Sequence, residues 1–85
     1  MMEPTELERR LHEAFPGAEV EVSDMTGTKD HFQARIVTPA FAGQSLIKQH
    51  QMVYGALGEA MKGAIHALAL RTYTPESWAK SQGTE

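Results

Sequence analysis

The stretch from Phe41 to Leu70 constrains this chain more than any other part of it. Ser45 stands where a helix N-cap is wanted, and Leu46, His50, Val53, Leu57 and Met61 fall on one face at ~100° per residue, with Tyr54 on the flank. Lys62 in the last turn and Gly63 as the stop place the end of this helix near Met61. Ile65 to Tyr73 then reads as a strand whose alternate residues are buried. A helix that feeds a strand is half of a crossover, so the preceding residues must supply the strand it crosses from.

They do. Phe32, Ala34 and Ile36 alternate with Gln33 and Arg35, and before them Ala18, Val20 and Val22 alternate with Glu19 and Glu21. Period-2 alternation marks strands with one buried and one wet face. The polar run Asp24 to Asp30, centred on Gly27, joins the two as an antiparallel hairpin, and Thr38-Pro39 closes the second strand. At the start of the chain, Thr5 and Glu8 read as a capping box for a helix with Leu7, Leu11, Ala14 and Phe15 on its stripe, stopped by Pro16-Gly17. At the other end, Thr74, Pro75 and Glu76 begin a short helix ending near Trp78, and residues 81–85 are expected to fray.

The order helix, strand, strand, helix, strand, helix predicts an α+β domain, a three-stranded mixed sheet with helices packed on one face. If the second and third strands are neighbours they run parallel, which brings His31 and His66 to the same end of the sheet, beside the Asp24 to Asp30 loop.

With 85 residues there is material for one core only. Apolar content of 41% against 22% charged is that of a globular protein, and no apolar run approaches the ~20 residues needed to span a bilayer. The opening Met1-Met2-Glu3-Pro4 has no secretory pattern, which points to a cytoplasmic protein. A formal charge of −3 with scattered Lys and Arg argues against binding nucleic acid by bulk electrostatics. The absence of cysteine excludes disulfides, a thiolate nucleophile and a self-contained thiolate iron–sulfur centre. Any metal must use His, Asp or Glu.

Four histidines remain, without the local spacing of a ligand motif. His12 follows Leu11 on a surface helix and reads as a solvated side chain. His50 falls on the apolar face of the crossover helix and reads as a core imidazole. His66 shares the parity of Leu68 and Leu70 but sits at a strand end, where structural and ligand roles are both open; His31 has the parity of the polar face. No G-x-S-x-G turn or phosphate-binding glycine loop supports an enzyme. Gly55-Ala56-Leu57-Gly58 fits the GxxG pattern of KH domains, but carries no basic residue and reads as a coincidence within a helix.

Taken together, Phe41-Ala42-Gly43-Gln44-Ser45-Leu46, Gln49-His50-Gln51-Met52-Val53-Tyr54, Ala56-Leu57, Ile65-His66-Ala67-Leu68 and Thr74-Pro75-Glu76-Ser77-Trp78 closely resemble the BolA family, and Asp30-His31-Phe32 matches the start of its second strand. The resemblance implies a fold similar to class II KH domains over residues 1–80. It implies a non-enzymatic adaptor, monomeric alone, that forms a heterodimer with a monothiol glutaredoxin and shares a 2Fe-2S cluster with it and with glutathione, in iron–sulfur cluster trafficking or iron regulation. His66 matches the histidine that such proteins offer from their third strand. The resemblance implies a second ligand, a His or Cys, from the loop between the first two strands, and here that loop holds neither; the place where some relatives carry a loop cysteine falls near Thr28. His31 is then the nearest candidate ligand, with Asp30 a harder and poorer one. DNA binding, in a transcription regulator, is the alternative that the family resemblance carries.

Overall fold

The computed structural model describes residues 3–24, 31–58 and 67–83. Its elements are α1 (Pro4–Ala14), β1 (Glu19–Asp24), β2 (His31–Val37), α2 (Leu46–Leu57), β3 (Ala67–Tyr73) and α3 (Pro75–Gly83), with a 3-10 turn at Pro39–Phe41. The sheet order is β1-β2-β3. β1 pairs antiparallel with β2, from Glu19↔Val37 to Asp24↔Phe32, and β2 pairs parallel with β3, from His31↔Ala67 to Val37↔Tyr73. The α+β class, the mixed three-stranded sheet and the parallel crossover are as expected from the alternation.

The core lies between the sheet and the first two helices. Phe32, Ala34 and Ile36 are 0% exposed on one face of β2, and Leu7 and Leu11 of α1 and Val53 and Leu57 of α2 join the same cluster. Phe15, just past α1, meets Phe41 edge-on with ring centroids 5.5 Å apart. Burying each such side chain is worth about 1.5–3 kcal/mol, so this layer dominates the stability of so small a sheet.

Several boundaries differ from those read in the sequence. α1 begins at Pro4 with Glu3 as N-cap and no side-chain cap, so Thr5 and Glu8 are inside the helix. Proline at N1 pre-sets the helical φ and has no N–H to satisfy, and the capping box is not used. Ala14, expected on the buried stripe, is exposed.

α2 starts as expected, Ser45 Oγ accepting from the Lys48 N–H, but ends at Leu57 rather than near Met61. Gly58 takes a φ of +52° and its N–H returns to the Tyr54 carbonyl, a left-handed turn that stops the helix one residue after Leu57. Met61, Lys62 and Gly63, on which the longer helix rested, lie outside the described residues. Leu46 fits the apolar face on a wheel yet is 60% exposed as the first residue of the helix.

α3 runs to Gly83, well beyond Trp78 and into the stretch expected to fray. Thr74 caps it, its Oγ1 accepting from the Ser77 N–H. It is also the exception to the helices sharing one face. Trp78 meets Arg35, whose parity on β2 is opposite to that of Phe32 and Ala34, so α3 serves the face turned away from α1 and α2.

Candidate functional site

The parallel register of β2 and β3 decides what can be brought together. His31 is the first residue of β2 and pairs with Ala67, the first of β3, while Asp24, the last of β1, pairs with Phe32. One end of the sheet therefore gathers the end of β1 and the starts of β2 and β3. His66 immediately precedes Ala67 in the chain and lies outside the described residues, as do residues 25–30 with Thr28 and Asp30. His31 is described by its backbone position in β2. Among the described residues no group of three or more His, Cys, Asp or Glu side chains could hold a metal ion.

The other two histidines stand elsewhere. His12 is exposed on α1, with Nε2 3.7 Å from Glu8 Oε2, one turn away on the helix. His50 is partly buried on α2, as its place on the wheel implies, and its Nε2 is buried without a hydrogen-bond partner. It lines a cleft of about 250 Å³ with Leu46, Leu70, Arg71, Thr72 and Tyr73. Beside it, Gln49 ties the helix to β3: its Oε1 accepts from Thr72 Oγ1 at 2.7 Å, and its Nε2 donates to the Gln44 carbonyl at 2.9 Å. The GxxG run is not wholly within a helix, since Gly58 is the turn that ends α2, but Leu57 is 3% exposed and belongs to the core.

One polar cluster escaped the sequence reading. Arg35 lies with its guanidinium carbon 4.4 Å from the centroid of the Trp78 ring, and its Nη1 is 2.9 Å from Glu21 Oε1. Tyr73 packs against the same indole at 5.0 Å. The Glu21↔Arg35 pairing was implicit in the hairpin register, since opposite charges face one another across the strands. Trp78 was not, because nothing local fixes the face on which a terminal helix lands.

The family model described as BolA-like protein matches residues 6–77. This chain belongs to the BolA-like family. It is 34% identical to the DNA-binding transcriptional regulator BolA of Escherichia coli K12, over 99% of this chain and 87% of that protein. It is 39% identical to the acid stress protein IbaG of the same organism, over 95% of this chain and 94% of that one. The structure of a BolA homologue from Coxiella burnetii superposes with a TM-score of 0.79 at 33% identity, covering 92% of this chain and 97% of that one. In this BolA-like chain the shared element order brings His31 and the start of β3 to one sheet end. No helix among the described residues is long and apolar enough to cross a membrane.

Proposed function

We propose that this BolA-like protein is a non-enzymatic adaptor that binds a monothiol glutaredoxin and co-ligates a shared 2Fe-2S cluster, through His66 with His31 as second ligand. The observation that carries the reading is the parallel register His31↔Ala67, which starts β2 and β3 at one end of the sheet, His66 being the residue next before Ala67 in the sequence. The donor set suits such a cluster. Imidazole can ligate one iron of a two-iron centre while thiolates hold the other. A chain without cysteine must receive those thiolates from a partner, and glutathione supplies another.

When bound, the cluster would supply redox-sensitive, transferable iron and sulfide. The chain's own part is to offer neutral imidazoles. Ligation then competes with protons and weakens as pH falls through the histidine range. Anaerobic reconstitution with a monothiol glutaredoxin and glutathione, followed by visible absorption and circular dichroism, tests the assignment. His66→Ala should change the charge-transfer bands and shorten the lifetime of the mixed complex, and His31→Ala should do so more weakly. Spectra unchanged by His66→Ala would remove it from the ligand set.

A second reading rests on the name of the E. coli relative, a DNA-binding transcriptional regulator. The net charge of −3 ranks it lower, since few clustered cations are present to neutralise phosphates. Titration of duplex DNA at several salt concentrations decides it: no salt-dependent complex, no DNA role.

A further inference from the structure

We propose that the open edge of β3, with the cleft between it and α2, receives an extended segment of a partner protein as a fourth strand whose residues alternate apolar and acidic. The inference uses different residues from the cluster site and stands independently of it.

β3 ends the sheet order, so among the described residues its far side pairs with nothing. Which backbone groups face outward follows from one hydrogen bond. The Tyr73 carbonyl accepts from the Thr38 N–H at 3.0 Å, on the β2 side. In a strand each residue points its N–H and carbonyl to the same side and its neighbours point theirs to the other. Ala69, Arg71 and Tyr73 therefore bond inward, and Leu70 and Thr72 present their donors and acceptors to the open edge. Both line the cleft with Leu46 and His50, and Leu70, like Leu68, packs against the core. An unpaired edge of this kind is a template for one more strand.

The two faces of β3 specify what that strand carries. On the α2 side the cleft is walled by Leu46 and Leu70, with Leu46 60% exposed, so every second residue of the incoming strand should be apolar. The intervening residues alternate to the parity of Arg71, which is exposed at the rim of the cleft and has no ion pair among the described residues. Among the described residues no carboxylate lines the cleft. In a chain of net charge −3 this is a locally cationic edge, and it selects acidic residues at those positions.

The only acidic–apolar alternation in this chain, Glu19 to Val22, is already engaged. Glu21 pairs with Arg35, and Val20 and Val22 pack against the core. Pairing β1 of one copy on β3 of the next would also be a head-to-tail contact and would require β1 to leave its place beside β2. Nucleic acid fits less well, since one arginine is too few to track a phosphate backbone and Tyr73 is occupied by Trp78.

The test is a titration of the full ¹⁵N-labelled chain with the heptapeptide acetyl-EVEVEVE-amide, with acetyl-KVKVKVK-amide as control. Binding of the acidic peptide should shift the amides of Leu70 and Thr72 and slow their hydrogen exchange, with smaller shifts at Leu46 and His50. Arg71→Glu should weaken it by roughly three- to tenfold, the span of one exposed ion pair lost and reversed, and turn the preference toward the lysine peptide. Leu46→Asp keeps α2 intact, because an acid in the first turn favours the helix, yet should weaken the acidic peptide similarly. Equal binding of both peptides, shifts confined to other surfaces, or indifference to Arg71→Glu would overturn the proposal. So would concentration-dependent self-association at the same amides, or displacement of the peptide by a thymidine oligonucleotide.

Discussion

The two faces of β2 are held by different physics. On one, Phe32, Ala34 and Ile36 are sealed at 0% exposure beneath α1 and α2, where stability comes from volume filled and water removed. On the other, two residues along from Gln33, a single cation is clamped between the Trp78 ring and Glu21, with its Nε buried and unpaired. The first face tolerates no loss of atoms. The second depends on one ring staying in place and has a polar atom to spare, so an apolar chain of similar length should serve there almost as well.

Substitutions that separate the faces rank accordingly. Phe32→Ala should be the most damaging, lowering unfolding free energy by about 3–5 kcal/mol, as expected for an aromatic side chain removed from a closed core; urea denaturation followed by circular dichroism measures it. Trp78→Ala should cost about 2 kcal/mol, the sum of an indole–guanidinium contact and a ring pair with Tyr73, and should speed hydrogen exchange in α3 while leaving α1 protected. Arg35→Met sharpens the contrast. It retains the methylene stem beneath Trp78 and discards the unpaired Nε, so the urea midpoint should move by less than the equivalent of about 1 kcal/mol. A large loss would show that the cation, and not the stem, holds α3.

The smallest effect belongs to the wet side of α1. Hydrogen bonds from Arg9 and Arg10 hold the Glu6 carboxyl below its ordinary range. A lowered carboxyl pKa contributes stability above the unfolded value and loses it as pH falls through the folded one. Glu6→Gln should therefore be slightly less stable than wild type near neutrality and indistinguishable from it in acid. Urea midpoints across an acid pH series would show the two curves converge.

These contrasts also explain what could be read without coordinates. The apolar face of β2 was legible because alternation is a local pattern, and the parallel pairing followed from one helix lying between two strands. The end of α2 was not, since apolar periodicity continues to Met61 and does not reveal that Gly58 takes a positive φ. The capping box at Thr5 failed because Pro4 had already started the helix. For the candidate site, the shared edge of His31 and β3 was legible from strand direction. The cleft beside Leu46 was not: a residue can sit on the right side of a helical wheel and still be left exposed at the helix start.

Gln49 gives this architecture a chemical clock. Its side-chain amide faces a hydroxyl with its oxygen and a backbone carbonyl with its nitrogen, so only one orientation satisfies both. Hydrolysis of that amide to a carboxylate would keep the hydroxyl but set a negative oxygen against the Gln44 carbonyl, loosening the join between α2 and β3. A lesion of one mass unit, where α2 meets β3, would register first as ageing at the edge of the sheet.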